Sequence, residues 1–400
     1  MYIIVTNIGT RYPVGFASTS RVNLYARGIV EAGGQVLVLC PGPSEYPNMG
    51  ILNREVKGVR NGVAFEYTCG TTTRGKTMFQ QKLLVLKGLL VSAQRIWNVH
   101  KTAGVNGILL FSDRMLTTVL YWLLARACQT KYVSEQNEQP FYQAEHSFFW
   151  KVVSFGYTHF LFPLFDGAIV ISEFLMKYMR KRMRRGAGLL KVPILIDVEE
   201  FTPVESEGPL AGEYIAYCGS WIEDQDGMHT LMKAFAAIHN DFPYVKLVLI
   251  GDSTRISSIP KYRLYAERLA ISDQVVFTGF LNRSDLIMYL SHATMLVLAK
   301  SRNRQSEAAF PTKLGEYLAT GQPVLVTKTI QIAAYLTDEV DIYFALPEDI
   351  ESIANRMRYI LTHKKEACEV GRRGRETAIR YFDYKENGKI IKEFIDHITV

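Results

Sequence analysis

Short apolar runs rich in β-branched residues alternate with helix-length segments along the whole chain, and this alternation constrains the fold more than any other feature. The strand-like runs of the first half are Ile3–Thr6, Gln35–Cys40, Ala64–Thr68, Gly107–Phe111, Lys131–Ser134 and Ala168–Ser172. Those of the second are Tyr214–Cys218, Lys246–Gly251, Val275–Gly279, Met295–Ala299 and Pro323–Thr327. Between them lie Arg21–Ala32, Gln80–His100, Thr230–Asn240, Ser284–Ser291, Lys313–Thr320 and Ile350–Thr362, all of helical length. Strand, helix and strand in succession close into a parallel sheet with helices on both faces. The pattern occurs twice and therefore predicts an α/β chain of two doubly wound parallel-sheet domains. Pro193, Pro203 and Pro209, set among acidic residues of 192–212, interrupt it and predict domains of 1–200 and 201–383. Ligands of such sheets bind at the carboxyl ends of the strands, so the two are expected to face an interdomain cleft.

Composition narrows the classes. Of 400 residues 48% are hydrophobic and 21% charged, which excludes a disordered chain. Residues 1–200 hold 23 basic and 13 acidic side chains (+10), whereas 201–400 hold 23 and 26 (−3), so the first half calls for an anionic partner or surface. Cys40, Cys69, Cys128, Cys218 and Cys368 are odd in number and nowhere spaced as CxxC, which argues against a disulfide framework and against a metal site. Met1 leads directly into the strand-like Tyr2–Thr6, and charges break every apolar run short of a membrane span. The expectation is a cytoplasmic protein whose membrane contact is peripheral.

The most informative segment is Glu307 to Thr327. Phe310-Pro-Thr opens a short helix, Gly321 closes it and Pro323 opens a buried strand. Backbone N–H groups at a helix start bind anions, and Lys313 adds a charge beside them. One turn on, Glu316 has the reach to accept two hydrogen bonds from a vicinal diol such as a ribose. Phosphate donors one helical turn from a diol acceptor fit a nucleoside diphosphate. The same residues also make an ordinary capped helix with a solvated Glu and Lys.

Phe310-Pro-Thr-Lys-Leu-Gly-Glu-Tyr-Leu-Ala-Thr-Gly-Gln-Pro-Val resembles the nucleotide-sugar-binding signature of family-four retaining glycosyltransferases, which have the two-domain, Rossmann-like GT-B fold. Supporting elements recur in order: the Gly15 loop after the first strand, Asp166–Ser172, Tyr217-Cys-Gly-Ser220 with Asp226-Gly227, Leu249-Ile-Gly-Asp252 and Phe277-Thr-Gly-Phe280. The resemblance implies transfer of a sugar, with retention, from a nucleotide diphosphate donor to a hydroxyl acceptor in cell-surface polysaccharide or lipid-linked glycan assembly. No cofactor beyond the donor and no metal is implied. Glu316 would take the ribose and Thr312, Lys313 and Leu314 the diphosphate, with Phe310, Gly219 and Ser220 beside them and Gly15 approaching from the opposite loop. The carboxylates nearest the family's reactive positions are Glu307 and Glu138. A last helix, 384–398, would cross back onto the N-terminal domain. Two departures stand out. Glu307 lies one position before the family's first Glu, which would fall at Ala308. Ser220 and Gln225-Asp226 stand where Arg and Lys often neutralise the diphosphate, leaving Lys313 with Arg302 or Arg304 for that charge.

A competing motif is Gly70-Thr-Thr-Thr-Arg-Gly75-Lys76-Thr77, a full match to the phosphate loop GxxxxGK[ST] and the basis of an alternative ATPase reading. A nucleotide-sugar epimerase and a non-catalytic sugar-nucleotide binder are the other classes that a double sheet with such a signature allows. Basic residues gather at Lys177–Arg185, where Leu175, Met179 and Met183 share a helical face, and again among the apolar residues of Lys76–Lys101. Both segments suit an anionic membrane surface, and the aromatic stretch from Phe148 to Phe165 offers a lipid-facing loop. Nucleic acid is not expected as a partner, because no recognised binding module accompanies the charge.

Overall fold

The computed structural model describes residues 1–47, 50–138, 148–202, 207–221, 226–252, 257–302 and 310–399. The chain forms two compact units, Met1–Leu195 with Tyr384–Val400, and Ile196–Asp383.

The first unit runs β1 (Tyr2–Val5), α1 (Ala17–Glu31), β2 (Val36–Cys40), β3 (Lys57–Arg60), β4 (Val63–Tyr67), α2 (Met78–Ala103) and β5 (Gly107–Leu110). It continues with α3 (Met115–Ala127), β6 (Lys131–Gln136), α4 (Phe148–Gly156), β7 (Gly167–Val170), α5 (Glu173–Arg180) and β8 (Gly188–Lys191). The sheet order is β3-β4-β2-β1-β5-β6-β7-β8. Helices cover both faces of a doubly wound sheet, so β1, β2, β5 and β7 are buried along their whole length and read as unbroken apolar runs. The edge departs from the expected all-parallel sheet, because β3 pairs antiparallel with β4 through Lys57↔Glu66 and Arg60↔Val63. Its charged, mostly exposed residues carry too little apolar signal to read as a strand.

The second unit runs β9 (Tyr214–Gly219), α6 (Met228–Ala236), β10 (Lys246–Gly251), α7 (Ile259–Arg268), β11 (Val275–Gly279), α8 (Arg283–Ser291) and β12 (Met295–Leu298). It continues with α9 (Thr312–Thr320), β13 (Val324–Thr327), α10 (Ile330–Ala333), β14 (Tyr343–Ala345), α11 (Ile350–Thr362) and α12 (Lys364–Phe382). All of its strands are parallel, in the order β11-β10-β9-β12-β13-β14.

The crossing between the units falls at 195/196, where the Ile196 N–H bonds the Phe382 carbonyl at 2.9 Å and so belongs with the second unit. α13 (Tyr384–His397) lies on α1 of the first unit. The backbones meet at Gly28 and Gly388, where a Cβ on Gly388 would stand 2.2 Å from the Gly28 carbonyl carbon, so only glycine fits. Among the described residues no helix is long and apolar enough to cross a membrane.

The core of the first unit holds groups whose ionisation burial disfavours. Burial pushes the Cys40 thiol from 9.0 up to about 12, and holds the Tyr67, Tyr121 and Tyr157 phenols above their usual range. In the unfolded chain these groups ionise near their ordinary values, about 8.5 for Cys and 10 for Tyr. Above those values the folded state binds more protons than the unfolded one, so their contribution to stability is whole below about pH 8.5 and is lost as pH rises toward 12. Circular-dichroism melts are expected to show Tm falling steadily from about pH 8.5 to 11. A constant Tm across that range would contradict the burial of these groups.

Candidate functional site

In the second sheet the strand order reverses between β9 and β12, and loops leaving the carboxyl ends of strands part at such a point. Gly219 and Ser220 leave β9 here, and Ala299-Lys300-Ser301 leave β12. Gly219 is fixed by its own strand, since a Cβ there would stand 1.9 Å from the Tyr217 hydroxyl. Lys300 Nζ donates to Asp226 Oδ1 at 2.8 Å, and Thr327 Oγ1 donates to the Lys300 carbonyl at 2.8 Å, so the two loops are tied together. Asp226 belongs to the Asp226-Gly227 element, whereas no motif announced Lys300.

α9 starts at the same edge. Phe310 is buried against Tyr335 and Phe382, with ring centroids 5.8 and 5.5 Å away, and anchors the helix start from within. Pro311 follows at the N-cap position, which carries no side-chain cap. Thr312 is exposed, Lys313 half-buried and Leu314 buried. Lys313, Glu316 and Tyr317 share one helical face. Tyr317 Oη accepts the Cys218 N–H at 2.6 Å and thereby turns that face toward the end of β9. The Cys218 thiol reports the convergence: burial, with Glu316 and Asp226, pushes it up to about 11, against the opposing pull of Lys313 and Arg283.

Arg283, the first residue of α8, was not visible as a site residue in the sequence. Its Nη1 donates to Glu316 Oε1 at 2.5 Å, and its Nη2 and Nε donate to Glu200 Oε2 at 2.6 and 3.1 Å. Burial lowers its pKa, but Glu316 and Glu200 outweigh burial and the net shift is upward, so the guanidinium stays charged. Asn282, whose side chain accepts the Asp285 N–H at 2.9 Å, begins α8 just before it and sets its place. A carboxylate accepts about four hydrogen bonds, so Glu316 keeps acceptor sites beyond the one Arg283 fills. One edge thus joins an uncapped helix start, a cation and an oriented carboxylate, a set able to hold a phosphate and a diol together.

In the first unit Gly15 lies on an exposed loop after β1. A Cβ there would stand 2.2 Å from Thr19 Oγ1, the hydroxyl that donates to the Arg11 carbonyl. Side chains hold the polar backbone groups of residues 12–14, just before it. Tyr67 Oη accepts the Tyr12 N–H at 3.0 Å and donates to the Tyr12 carbonyl at 2.8 Å. Asn23 donates to the Pro13 carbonyl at 2.9 Å. Asn53 takes both groups of Val14, accepting its N–H at 2.9 Å and donating to its carbonyl at 2.8 Å, and also donates to the buried Glu45 at 2.7 Å. Glu138 is exposed just after β6. Its neighbour Glu135, expected beyond the strand, is instead buried within β6 and paired with Arg21 at 2.5 Å. Glu307 lies outside the described residues.

Gly70–Thr77 does connect a strand to a helix, but several of its amides are already bonded within the fold. The Gly75 N–H bonds Gln81 Oε1 at 3.0 Å and the Lys76 N–H bonds Gln80 Oε1 at 3.1 Å. Thr77 Oγ1 accepts the Gln80 N–H at 3.2 Å as the N-cap of α2. Amides that would cradle a phosphate are here a capping arrangement. Among the described residues no three His, Cys, Asp or Glu side chains form a group that could hold a metal.

Two parallel-sheet units joined in this way are the GT-B architecture. Anabaena HepE, solved in complex with UDP and glucose, matches with a TM-score of 0.72 over 99% of this chain and 99% of that one, at 14% identity. Residues 212–363 match the family model of glycosyl transferases group 1. Uncharacterized glycosyltransferase YqgM of Bacillus subtilis is 27% identical over 136 residues, 34% of this chain and 36% of that protein. Alpha-monoglucosyldiacylglycerol synthase of Streptococcus pneumoniae is 28% identical over 158 residues, 39% of this chain and 34% of that protein. The chain thus spans about a third of the length of the curated relatives it matches.

Replacing Asn53 by Ala strips the Val14 N–H and carbonyl of their partner and leaves buried Glu45 one donor short. The expected loss is about 1–3 kcal/mol of unfolding free energy in urea titration. A change under about 0.5 kcal/mol, the range of ordinary surface substitutions, would show that this clamp does not hold the loop.

Proposed function

We propose that the chain is a glycosyltransferase that moves a sugar from a nucleotide diphosphate sugar to a hydroxyl acceptor. The observation that carries this reading is the start of α9 at the switch point of the second sheet, with Lys313 and the Arg283-held Glu316 on the face that Tyr317 turns toward β9. Glu316 takes the ribose diol. The first-turn amides of Thr312, Lys313 and Leu314, with the Lys313 ammonium, take the diphosphate, and Gly219 and Ser220 border it. Negative charge grows on the diphosphate as it leaves, so fixed N–H groups and Lys313 stabilise the transition state more than the ground state. Retention follows from the family resemblance, and Glu307 and Glu138 are the carboxylates it offers. No metal enters this scheme. The UDP and glucose held by Anabaena HepE support a nucleotide-sugar donor. The streptococcal relative, by its name a glycolipid synthase, supports a lipid-linked acceptor reached at an anionic membrane surface from the cytoplasmic side.

A thermal-shift screen of UDP-, GDP- and ADP-sugars names the donor, since a ligand at a hundred times its Kd adds ~2.7 kcal/mol. With that donor, Glu316→Ala removes a charged hydrogen-bond partner worth ~1.5–3 kcal/mol, so calorimetry should show affinity falling about tenfold or more. Lys76→Ala should leave affinity and transfer unchanged, as should EDTA. Undiminished affinity in Glu316→Ala would displace the nucleotide from α9, and loss of binding in Lys76→Ala would move it to Gly70–Thr77.

A further inference from the structure

Two cationic helices of the first unit spend their apolar residues in opposite ways. α5 ends at Arg180, shorter than its charge pattern suggests, and buries Leu175 and Met179 completely. Lys177, Arg180, Lys181 and Arg185 stand exposed around it, while Arg184 is bound to Asp166 at 2.7 Å. Phe174 and Met176 are half-buried, and no large apolar side chain of α5 stands exposed to enter a membrane.

α2 is the inverse. Gly88, Leu89, Ser92, Ile96 and Val99 form its buried side. Its outer side carries Phe79 (70% exposed), Leu83, Leu86, Leu90 (60%) and Trp97. At 3.6 residues per turn the positions 79, 83, 86, 90 and 97 fall on one line along the helix. Exposed Lys82 and Lys87 flank that line on either side, and Lys101 Nζ lies 5.3 Å from the Trp97 ring. Neighbouring helices widen it. α3 meets α2 through Tyr121 and Ser92, whose hydroxyls are 2.5 Å apart, and shows Leu116 and Leu123 outward. Tyr157, just past α4, reaches Thr118 of α3 at 3.2 Å, and Phe155 and Phe160 are exposed beside it. The stretch expected as a lipid-facing loop is therefore helical, with Tyr157, Phe162 and Phe165 in the core and Phe155 and Phe160 outside.

The helices of this face carry charge of one sign, although Arg95 and Arg126 are paired with Glu66 and Asp166 of neighbouring elements and Asp113 stands exposed just before α3. Residues 78–103, 115–127 and 148–156 contain Lys82, Lys87, Arg95, Lys101, Arg126 and Lys151, and no Asp or Glu. A second copy of the same face would set lysines against lysines, and like charges brought together across an interface are unfavourable. An apolar line flanked only by cations matches a surface that is apolar within and anionic at its rim.

We propose that the outer face of α2, widened by α3 and by residues 152–160, is the surface by which this chain docks on an anionic lipid bilayer. It identifies the face for the membrane contact proposed above and rests on that reading. The test is co-sedimentation of the full chain with vesicles of phosphatidylcholine alone or equimolar with phosphatidylglycerol. The wild type should bind the anionic vesicles at least about tenfold more tightly than the neutral ones. Leu83→Gln with Leu86→Gln and Leu90→Gln should lose about tenfold or more. A control carrying Lys177→Gln, Arg180→Gln, Lys181→Gln and Arg185→Gln should stay within about twofold of wild type. Wild-type binding by the leucine variant, or loss confined to the α5 control, would overturn the proposal. So would a lipid-free dimer in light scattering that the leucine variant abolishes while the wild type ignores vesicles, because the face would then belong to a second copy. The replaced leucines are exposed and the melting transition should persist; if the triple variant melts early, Leu90→Gln alone should still weaken binding. Nucleotide-induced thermal shifts, read in parallel, report on the donor site independently of the membrane face.

Discussion

One hydrogen bond, from the Cys218 amide to Tyr317 Oη, decides where the first turn of α9 points. β9 ends at Gly219, and its last amides have no helix to continue them. Tyr317 supplies a partner from another element, and burial keeps its phenol neutral and able to hold that place. Because Lys313 lies one turn before Tyr317 and Glu316 directly precedes it, this bond carries both to the strand end. Arg283 then fixes the Glu316 carboxylate from the side. The candidate site is thus positioned by a buried bond and oriented by a half-exposed ion pair, which fits a site that must keep its place and still admit a ligand.

The loop at Gly15 solves a related problem by other means. A segment that leaves a sheet loses its ladder partners, and buried backbone groups without partners cost about 1–3 kcal/mol each. Here Tyr67 and Asn53 each take one N–H and one carbonyl of the same residue, as a neighbouring strand would. Glu45 is buried, and its carboxyl oxygens are met by Asn53, the Leu52 N–H and nearby Arg11. Removing one of these partners leaves a buried polar group short of a donor, which couples the loop to the fold.

Much of this was legible. The central strands are buried on both faces, so β1, β2, β9, β10 and β12 announce themselves as apolar runs, and the Phe310–Val324 signature led to the helix that bears Lys313 and Glu316. Other features left no local trace. β3 is an exposed edge strand, and α5 stops at Arg180 although its charges continue. Glu135, one residue past the strand-like run Lys131–Ser134, pairs with Arg21, 114 residues away in sequence. Arg283 and Lys300 answer carboxylates 33 and 74 positions distant. Periodicity reports which side of an element is buried; a polar pair made across the fold depends on strand order, and no window of sequence contains it. Gly70–Thr77 shows the converse, a complete motif whose amides Gln80 and Gln81 have already taken.

The contrast between α2 and α5 turns on the same distinction between composition and placement. Both segments are basic and amphipathic on paper, and net charge alone favours α5. Each Lys or Arg near an anionic surface contributes about 1 kcal/mol, screened within ~8 Å at physiological salt. Fully burying a Leu or Phe side chain is worth about 1.5–3 kcal/mol and is not screened. Several apolar side chains on one line therefore outweigh a comparable number of cations, and only α2 has them to offer. In α5 the same residue types already stabilise the core under β7 and β8, and turning them outward would forfeit the burial that holds the helix in place. What a helix can do at a surface is thus set by what the fold has left unburied.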